Sequence, residues 1–296
     1  MKLTCVTAVF NAIESGHREH LMRCVKSVAE LKTEHEHLVY DGASTDGTTE
    51  LLRELEAETP GLKVFSEPDT GIYNALNKGV RDAQGEWFYV LGCDDRIDHP
   101  EVLDRLLATT AEETKAIVSP VERDGKNPFF RDMKSLRILF WTVPYSHQGL
   151  VMKTDVIRQF GGFDERYSIC ADWDLMLKAH EAALAFRYTF EPFAFYATGG
   201  ASETGPRGWN EVTEVLQAHL NMTDPQTARF RKNGYPPVYK MIRFAFHPDV
   251  ALRMSSRHML GMAIKAPVCP IARPLKRRLG AAVARLLNQR RITKDT

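Results

Sequence analysis

The sequence has no paired-cysteine spacing, no long apolar run and almost no net charge, and each absence narrows the field. Its five cysteines (Cys5, Cys24, Cys93, Cys170 and Cys269) are scattered, odd in number and never spaced Cys-x-x-Cys. That argues against a disulfide framework and a structural zinc site, and it suits a reducing compartment. No apolar run approaches the roughly 18–20 residues that a membrane-spanning helix needs. The first ten residues read as a strand, too short for the apolar core and cleavage site of a secretion signal. A cytoplasmic protein is therefore expected. With 39 basic and 38 acidic residues the formal net charge is +1, which gives no global field for nucleic acid. Internal repeats and low-complexity tracts are missing as well.

What remains is ordinary globular material: 296 residues, 44% hydrophobic and 26% charged, enough for one large domain or a domain with an appendage. The first 120 residues alternate two kinds of signal. Strands are predicted at Leu3–Phe10, His37–Tyr40, Leu62–Phe65, Trp87–Leu91 and Ala116–Ser119. Helices are predicted at His17–Leu31, Thr48–Ala57, Gly71–Ala83 and Pro100–Ala111. Such alternation implies a mostly parallel sheet with helices on both faces. Glu122–Tyr145 reads as an irregular excursion. Gly149–Lys153 and Ala185–Phe190 read as later strands, and Asp172–Ala183 as a helix. After Gly208 only helical patterns broken by prolines occur.

The most informative stretch is Glu86-Trp-Phe-Tyr-Val-Leu-Gly-Cys-Asp-Asp95. A buried strand ends there in two adjacent carboxylates, Asp94 and Asp95. Open α/β sheets bind ligands outside the carboxyl ends of their strands. Like charges side by side need compensation, and Mg²⁺ or Mn²⁺ with a phosphate-bearing substrate supplies it. The alternative is a solvated turn. Asp41 sits at the carboxyl end of the second strand, so a parallel sheet brings it to the same rim. There it can accept a hydrogen bond from a base or a ribose, or serve only as a turn residue like Asp46.

Several blocks in order carry a family resemblance. Asp41-Gly-Ala-Ser-Thr-Asp-Gly-Thr48 resembles the DGSxDGT signature of family 2 glycosyltransferases. Ser66-Glu-Pro-Asp69-Thr-Gly71-Ile-Tyr-Asn-Ala-Leu-Asn77-Lys78-Gly79 resembles the block that follows it. Gly85-Glu-Trp with Leu91-Gly-Cys-Asp94-Asp95 is similar to the acid-bearing strand. His147-Gln148, Gly161-Gly-Phe-Asp-Glu165 and Ala171-Asp172-Trp-Asp174-Leu175 resemble the acceptor-side blocks. Together they span about residues 3–202, and the nearest look is to the bacterial branch that builds exopolysaccharide and capsule repeat units.

The resemblance implies an α/β GT-A fold: a Rossmann-like, mostly parallel sheet flanked by helices. Residues 1–205 would form that domain, with a nucleotide-sugar half to about 120 and an acceptor half from 121. Residues 206–296 would be a helical extension. It implies an inverting hexosyltransferase that uses a UDP- or GDP-sugar and Mn²⁺ or Mg²⁺. Position by position, Asp41 would contact the nucleobase, Asp94 the ribose and Asp95 the metal. Asp172 would be the general base. Ala8, Phe10, Asp69 and Lys78 would join the donor contacts, and His147 and Asn74 would touch acceptor or donor. The chain departs from the pattern at Ala171 for a usual Glu, Asn74 for a frequent Asp and Gly92-Cys93 for Asn-x. No Gln-x-x-Arg-Trp motif follows Gly200, which in this family implies transfer of one sugar rather than processive synthesis.

The residue types suit that chemistry. A divalent ion can neutralise a departing diphosphate, and a carboxylate can take the acceptor's proton. Inversion needs no enzymic nucleophile. Thr198–Ser202 reads as a loop over the donor. From Arg273 to Arg291 basic and apolar positions alternate without an acid, as in helices that lie on anionic membranes. A lipid-linked saccharide acceptor and peripheral attachment to the inner membrane face are thus expected, against a simple solvated helix. Two other functions compete. A sugar nucleotidyltransferase would want a glycine-rich basic loop where Asn11–His17 has one glycine and no arginine. A non-catalytic nucleotide-sugar-binding subunit would have no use for both Asp95 and Asp172.

Overall fold

The computed structural model describes residues 2–123, 126–129 and 145–197, with Glu211, Glu214, Val215, Gln217, Ala218 and His219. In chain order the elements begin with β1 (Leu3–Val9), α1 (Arg18–Ala29), β2 (His35–Asp41), α2 (Thr48–Glu58), β3 (Leu62–Ser66), α3 (Ile72–Asp82) and β4 (Trp87–Val90). Next come β5 (Arg96–Ile97), α4 (Pro100–Thr109), β6 (Ala116–Val118), β7 (Val121–Arg123) and β8 (Lys126–Phe129). A 3-10 turn at His147–Gly149 leads into β9 (Leu150–Lys153), followed by α5 (Thr154–Gln159), α6 (Ala171–Glu181), β10 (Phe186–Tyr188) and β11 (Ala194–Tyr196).

The main sheet has the order β10-β6-β9-β4-β1-β2-β3. Its pairs are parallel except for β9, which runs antiparallel to both β4 and β6. Both faces are covered, which is why β4 (Trp-Phe-Tyr-Val) is apolar throughout. Trp87 and Tyr89 of β4 pack beneath α1 and α4 with Leu3, Cys5, Cys24, Leu103 and Leu106. Phe88 points the other way, into the cluster of Val6, Leu76, Val80, Met152, Ile157 and Trp173 under α3, α5 and α6. Arg158 of α5 donates to the carbonyls of Val80, Arg81 and Ala83, closing the C-terminus of α3.

The predicted strands and helices up to Ser119 are present, with ends moved by up to three residues. Leu91 lies outside β4, although its N–H still bonds Val6 O at 3.1 Å. A second sheet, ordered β5-β11-β7-β8, has no counterpart among the predicted elements, because strands of two to four residues carry no readable period. The excursion from Glu122 to Tyr145 lies mostly outside the described residues. So do the 198–202 loop, all but a few positions of the 206–296 extension, and the basic stretch. Among the described residues no helix is long and apolar enough to cross a membrane.

Candidate active site

At the carboxyl rim, β1 lies between β2 and β4, with Val9 opposite Asp41 and Val6 opposite Val90. Asp41 and the acids after β4 are therefore two strand spacings apart, about 10 Å. Asp41 is buried, and its carboxylate accepts from the Thr49 hydroxyl at 2.6 Å, the Ser66 hydroxyl at 2.7 Å and the Ser44 hydroxyl. Three local hydroxyls thus hold the charge in place. Next to it, Gly42 has no room for a side chain. A Cβ there would lie 2.9 Å from Asp69 Oδ2 and 3.3 Å from the Phe10 ring. Asp69 is fixed in turn by the Gly71 N–H at 2.9 Å. Phe10 is 65% exposed beside these acids. An exposed ring, two carboxylates and a bare backbone make a cradle for a flat polar ring. Ala8, half-buried in β1, packs against the core beneath α3.

The acid pair folds back over its own turn. A Cβ on Gly92 would lie 2.5 Å from Asp95 Oδ2 and 2.9 Å from Asp94 Oδ1, so a side chain there would have to displace both carboxylates. Asp95 is 2% exposed. Gln148 Nε2 donates to it at 2.7 Å and the Ala197 N–H at 2.9 Å. Burial first, then the charge of Asp94, raises the Asp95 pKa to about 6. Asp94 has no hydrogen-bond partner among the described residues and remains open. Cys93 beside them is kept a thiol, its pKa pushed up to about 12 by burial and then by Asp94 and Asp95.

Because β9 runs backwards, its leading residues His147 and Gln148 arrive at this rim. His147 Nδ1 lies 3.3 Å from Asp172 Oδ2, with the histidine side chain 33% exposed and the aspartate 18%. Burial opposes a charge on His147. The hydrogen bond and charge of Asp172, then the charges of Asp95 and Asp94, outweigh it and raise the histidine's pKa. Asp172 stands in the first turn of α6, where the helix dipole favours an anion. Its Oδ1 accepts from the Trp173 N–H at 2.7 Å and lies 3.2 Å from the Tyr73 hydroxyl. His147 thus links the two sides: it pairs with Asp172 and lies within electrostatic reach of Asp95 and Asp94.

Two expected contact residues have other partners. Lys78, 12% exposed, pairs with Glu67 at 2.7 Å and donates to Pro68 O at 3.1 Å. Asn74 donates to Glu165 Oε2 at 3.0 Å, and Asn77 to Glu165 Oε1 at 2.8 Å, tying α3 to the loop before α6. An Asp at position 74 would replace this hydrogen bond with a like charge facing Glu165. The sequence pattern did not single out Tyr73, or the roles of Gln148 and the Ala197 amide, since these contacts join residues 99, 53 and 102 positions apart.

Among the described residues no three His, Cys, Asp or Glu side chains gather to hold a metal by themselves. An ion here would draw on Asp95 and take its remaining oxygens from substrate and water, the usual arrangement for Mg²⁺ with phosphates. Burial and the charge of Asp94 both disfavour the Asp95 carboxylate, and a cation would offset them.

The chain resembles proteins of known family. The family model described as Glycosyl transferase family 2 matches residues 4–167, more than half of the chain. A PGL/p-HBAD biosynthesis glycosyltransferase of Mycobacterium tuberculosis is 29% identical over 191 residues, covering 62% of this chain and 74% of that one. The O-antigen biosynthesis protein RfbC of Myxococcus xanthus is 27% identical over 277 residues, covering 84% of this chain and 21% of that one. Among solved structures, S. aureus TarS in complex with UDP superposes with TM-score 0.61 at 18% identity, over 90% of this chain and 76% of that chain. The mannosyltransferase PcManGT of Pyrobaculum calidifontis, in complex with GDP-Man and Mn²⁺, gives TM-score 0.57 at 19% identity, over 96% and 80%. With the mostly parallel sheet and acid-bearing rim described above, these matches make this chain a GT-A-fold member of glycosyltransferase family 2.

Proposed function

We propose that the protein transfers a single sugar from a UDP- or GDP-sugar to a hydroxyl of a saccharide acceptor, with inversion and with a divalent metal. The observation that carries this reading is His147, which pairs with Asp172 at 3.3 Å and lies within electrostatic reach of the Asp94–Asp95 pair. Phe10, Asp41 and Asp69 would seat the nucleobase, with Ala8 behind them, and Asp94 would bind the ribose. Asp95 would hold the metal, whose charge, when bound, would offset that of the departing diphosphate. Asp172 would accept the acceptor's proton. His147, 3.3 Å from Asp172 Oδ2, would orient that carboxylate and, when protonated, would add positive charge near the diphosphate. Lys78 and Asn74 would act through the loops they tie. The complexes of TarS with UDP and UDP-GlcNAc and of PcManGT with GDP-Man and Mn²⁺ support the donor and metal classes.

Relatives named for PGL/p-HBAD and O-antigen biosynthesis support a place in glycan assembly. A lipid-linked acceptor and attachment of the 273–291 stretch to an anionic cytoplasmic membrane face belong to the same proposal. Flotation of the full-length chain with anionic but not zwitterionic vesicles would support attachment; no flotation would remove it.

The catalytic reading is tested with a panel of UDP-, GDP- and dTDP-sugars and Mn²⁺. A matched donor should raise the melting temperature, since ligand at a hundredfold excess over Kd adds about 2.7 kcal/mol. Nucleoside diphosphate release should then depend on Mn²⁺ and collapse in Asp95→Ala and Asp172→Asn. Unchanged release in both variants would end the catalytic assignment.

A further inference from the structure

The helix that carries Asp172 begins without a side-chain cap of its own, since Cys170 at its N-cap makes no capping bond. The amides of the three residues just ahead of it are bonded by a residue from beyond the expected domain boundary. Glu211 accepts from Ser168 N–H at 2.9 Å, the Ser168 hydroxyl at 2.5 Å, Ile169 N–H at 2.7 Å and Cys170 N–H at 3.0 Å. One carboxylate therefore satisfies three consecutive backbone donors, where orphan amides and the helix dipole both favour an anion. Burial alone would raise the Glu211 pKa, but these hydrogen bonds hold it below the usual carboxylate range.

The peptide unit between Ile169 and Cys170 is held at both ends. Its N–H goes to Glu211, and its C=O accepts from the Tyr73 hydroxyl at 2.7 Å. That same hydroxyl stands 3.2 Å from Asp172 Oδ1. Glu211, the Ile169–Cys170 peptide, Tyr73 and Asp172 thus form one continuous chain of contacts. The segment that brings Glu211 is itself anchored along one face. Glu211, Val215 and His219 follow a spacing of four, which aligns them on a helix. Val215 is buried in the core under α6, and His219 bridges Asp174 at 2.7 Å and Glu181 at 3.1 Å.

We propose that Glu211, which lies beyond the expected domain boundary at 205, is a positioning residue for Asp172. This rests on the reading of Asp172 as the base. Glu211 does not meet substrate; it fixes the turn from which Asp172 projects. Misplacing a catalytic group by about 1 Å costs on the order of 10²-fold in rate.

The test uses the full chain and Mn²⁺, with whichever of UDP-glucose, UDP-N-acetylglucosamine or GDP-mannose stabilises it most. The readouts are kcat and KM of nucleoside diphosphate release, with melting temperature measured alongside. Glu211→Gln should lower kcat by about 10–100-fold while KM changes less than about twofold. Glu211→Asp, which keeps the charge, should recover part of that loss. His219→Gln loosens the same segment away from the base and should keep kcat within about twofold, even at an equal fall in melting temperature. If Glu211→Gln does not fold, Ser168→Ala removes one of the four donors and should lower kcat about two- to threefold. Wild-type kcat in Glu211→Gln, with Asp172→Asn inactive, overturns the positioning role alone. So does a loss in His219→Gln equal to that in Glu211→Gln. Wild-type turnover in Asp172→Asn overturns the base reading, and this proposal with it.

Discussion

Asp41 is held by Ser44, Thr49 and Ser66, which lie 3, 8 and 25 positions away in the chain. Asp172 leans on Tyr73, 99 positions away, and its helix is started by Glu211 across gaps of 41–43. The Asp41 end of the rim is thus assembled by neighbours in sequence: strand ends, tight turns and short hydroxyl side chains. The acceptor flank exists only once distant segments have packed. The first kind of site forms with its own supersecondary unit. The second is coupled to the stability of everything between, and substitutions far from the chemistry reach it.

The sharpest way to separate the two regions is to compare Asp172→Asn with Asp41→Ala. Asp172→Asn should cost about 10²–10⁴-fold in kcat, the usual contribution of a general base, with nucleotide affinity within about twofold. Asp41→Ala should instead weaken nucleotide binding and lower the melting temperature, because it takes the acceptor from three half-buried hydroxyls. Calorimetric titration with UDP and GDP, beside the release assay, reads both. A loss of nucleotide binding in Asp172→Asn would erase the division.

Gly85→Ala comes next in size. A Cβ there would lie 2.4 Å from Thr4 N and 2.5 Å from Leu3 C, so the β1 backbone must move. Overpacking of this kind costs about 1–3 kcal/mol, measurable by urea unfolding, and it falls on the scaffold both regions share.

Two histidines should give the regions opposite pH responses. On the donor side His37 is buried, hydrogen-bonded to Thr7 at 2.9 Å, and its pKa is lowered to about 3 by burial and by the charge of His35. Below pH about 6.5 the unfolded chain takes up a proton that folded His37 refuses. Stability is therefore lost as pH falls from there toward 3, by at most about 1.4 kcal/mol per pH unit. On the acceptor side burial opposes charge on His219, but Asp174 and Glu181 raise its pKa to about 9. Its contribution is fully present below pH about 6.5 and is lost as pH rises through 9. His37→Gln should flatten the acid limb of a stability–pH curve, and His219→Gln the alkaline limb. If each variant altered the same limb, the assignment would fail.

The smallest expected effect is Thr49→Val, which removes one hydroxyl from Asp41. It should cost about 1 kcal/mol of stability and leave kcat unchanged, as measured by thermal melts and the release assay.

The same division explains how much could be read from the sequence. The rim acids were legible because a buried strand ending in Asp94-Asp95 and a turn after Asp41 are local signals. The helix bearing Asp172 was legible by its apolar content, although its nearly all-round burial follows from contacts on both sides. Glu211 was not, because a single Glu in a polar helical stretch looks like a solvated residue until the fold brings Ser168–Cys170 to it. Lys78 and Asn74 show the reverse. Their motif marked them, but only coordinates reveal Glu67, Pro68 and Glu165 as their immediate partners. The second sheet escaped because Arg96–Ile97 and Ala194–Tyr196 are too short to show alternation.

The reversed strand β9 has one further consequence. In a parallel sheet only segments that follow a strand reach the carboxyl rim. Running β9 against its neighbours delivers a segment that precedes a strand, so Tyr89 can bond Gln148 O at 2.9 Å just where the acids emerge. One rim thus collects residues that follow a strand, Asp94 and Asp95, and residues that precede one, His147 and Gln148, and it draws on both directions of the chain.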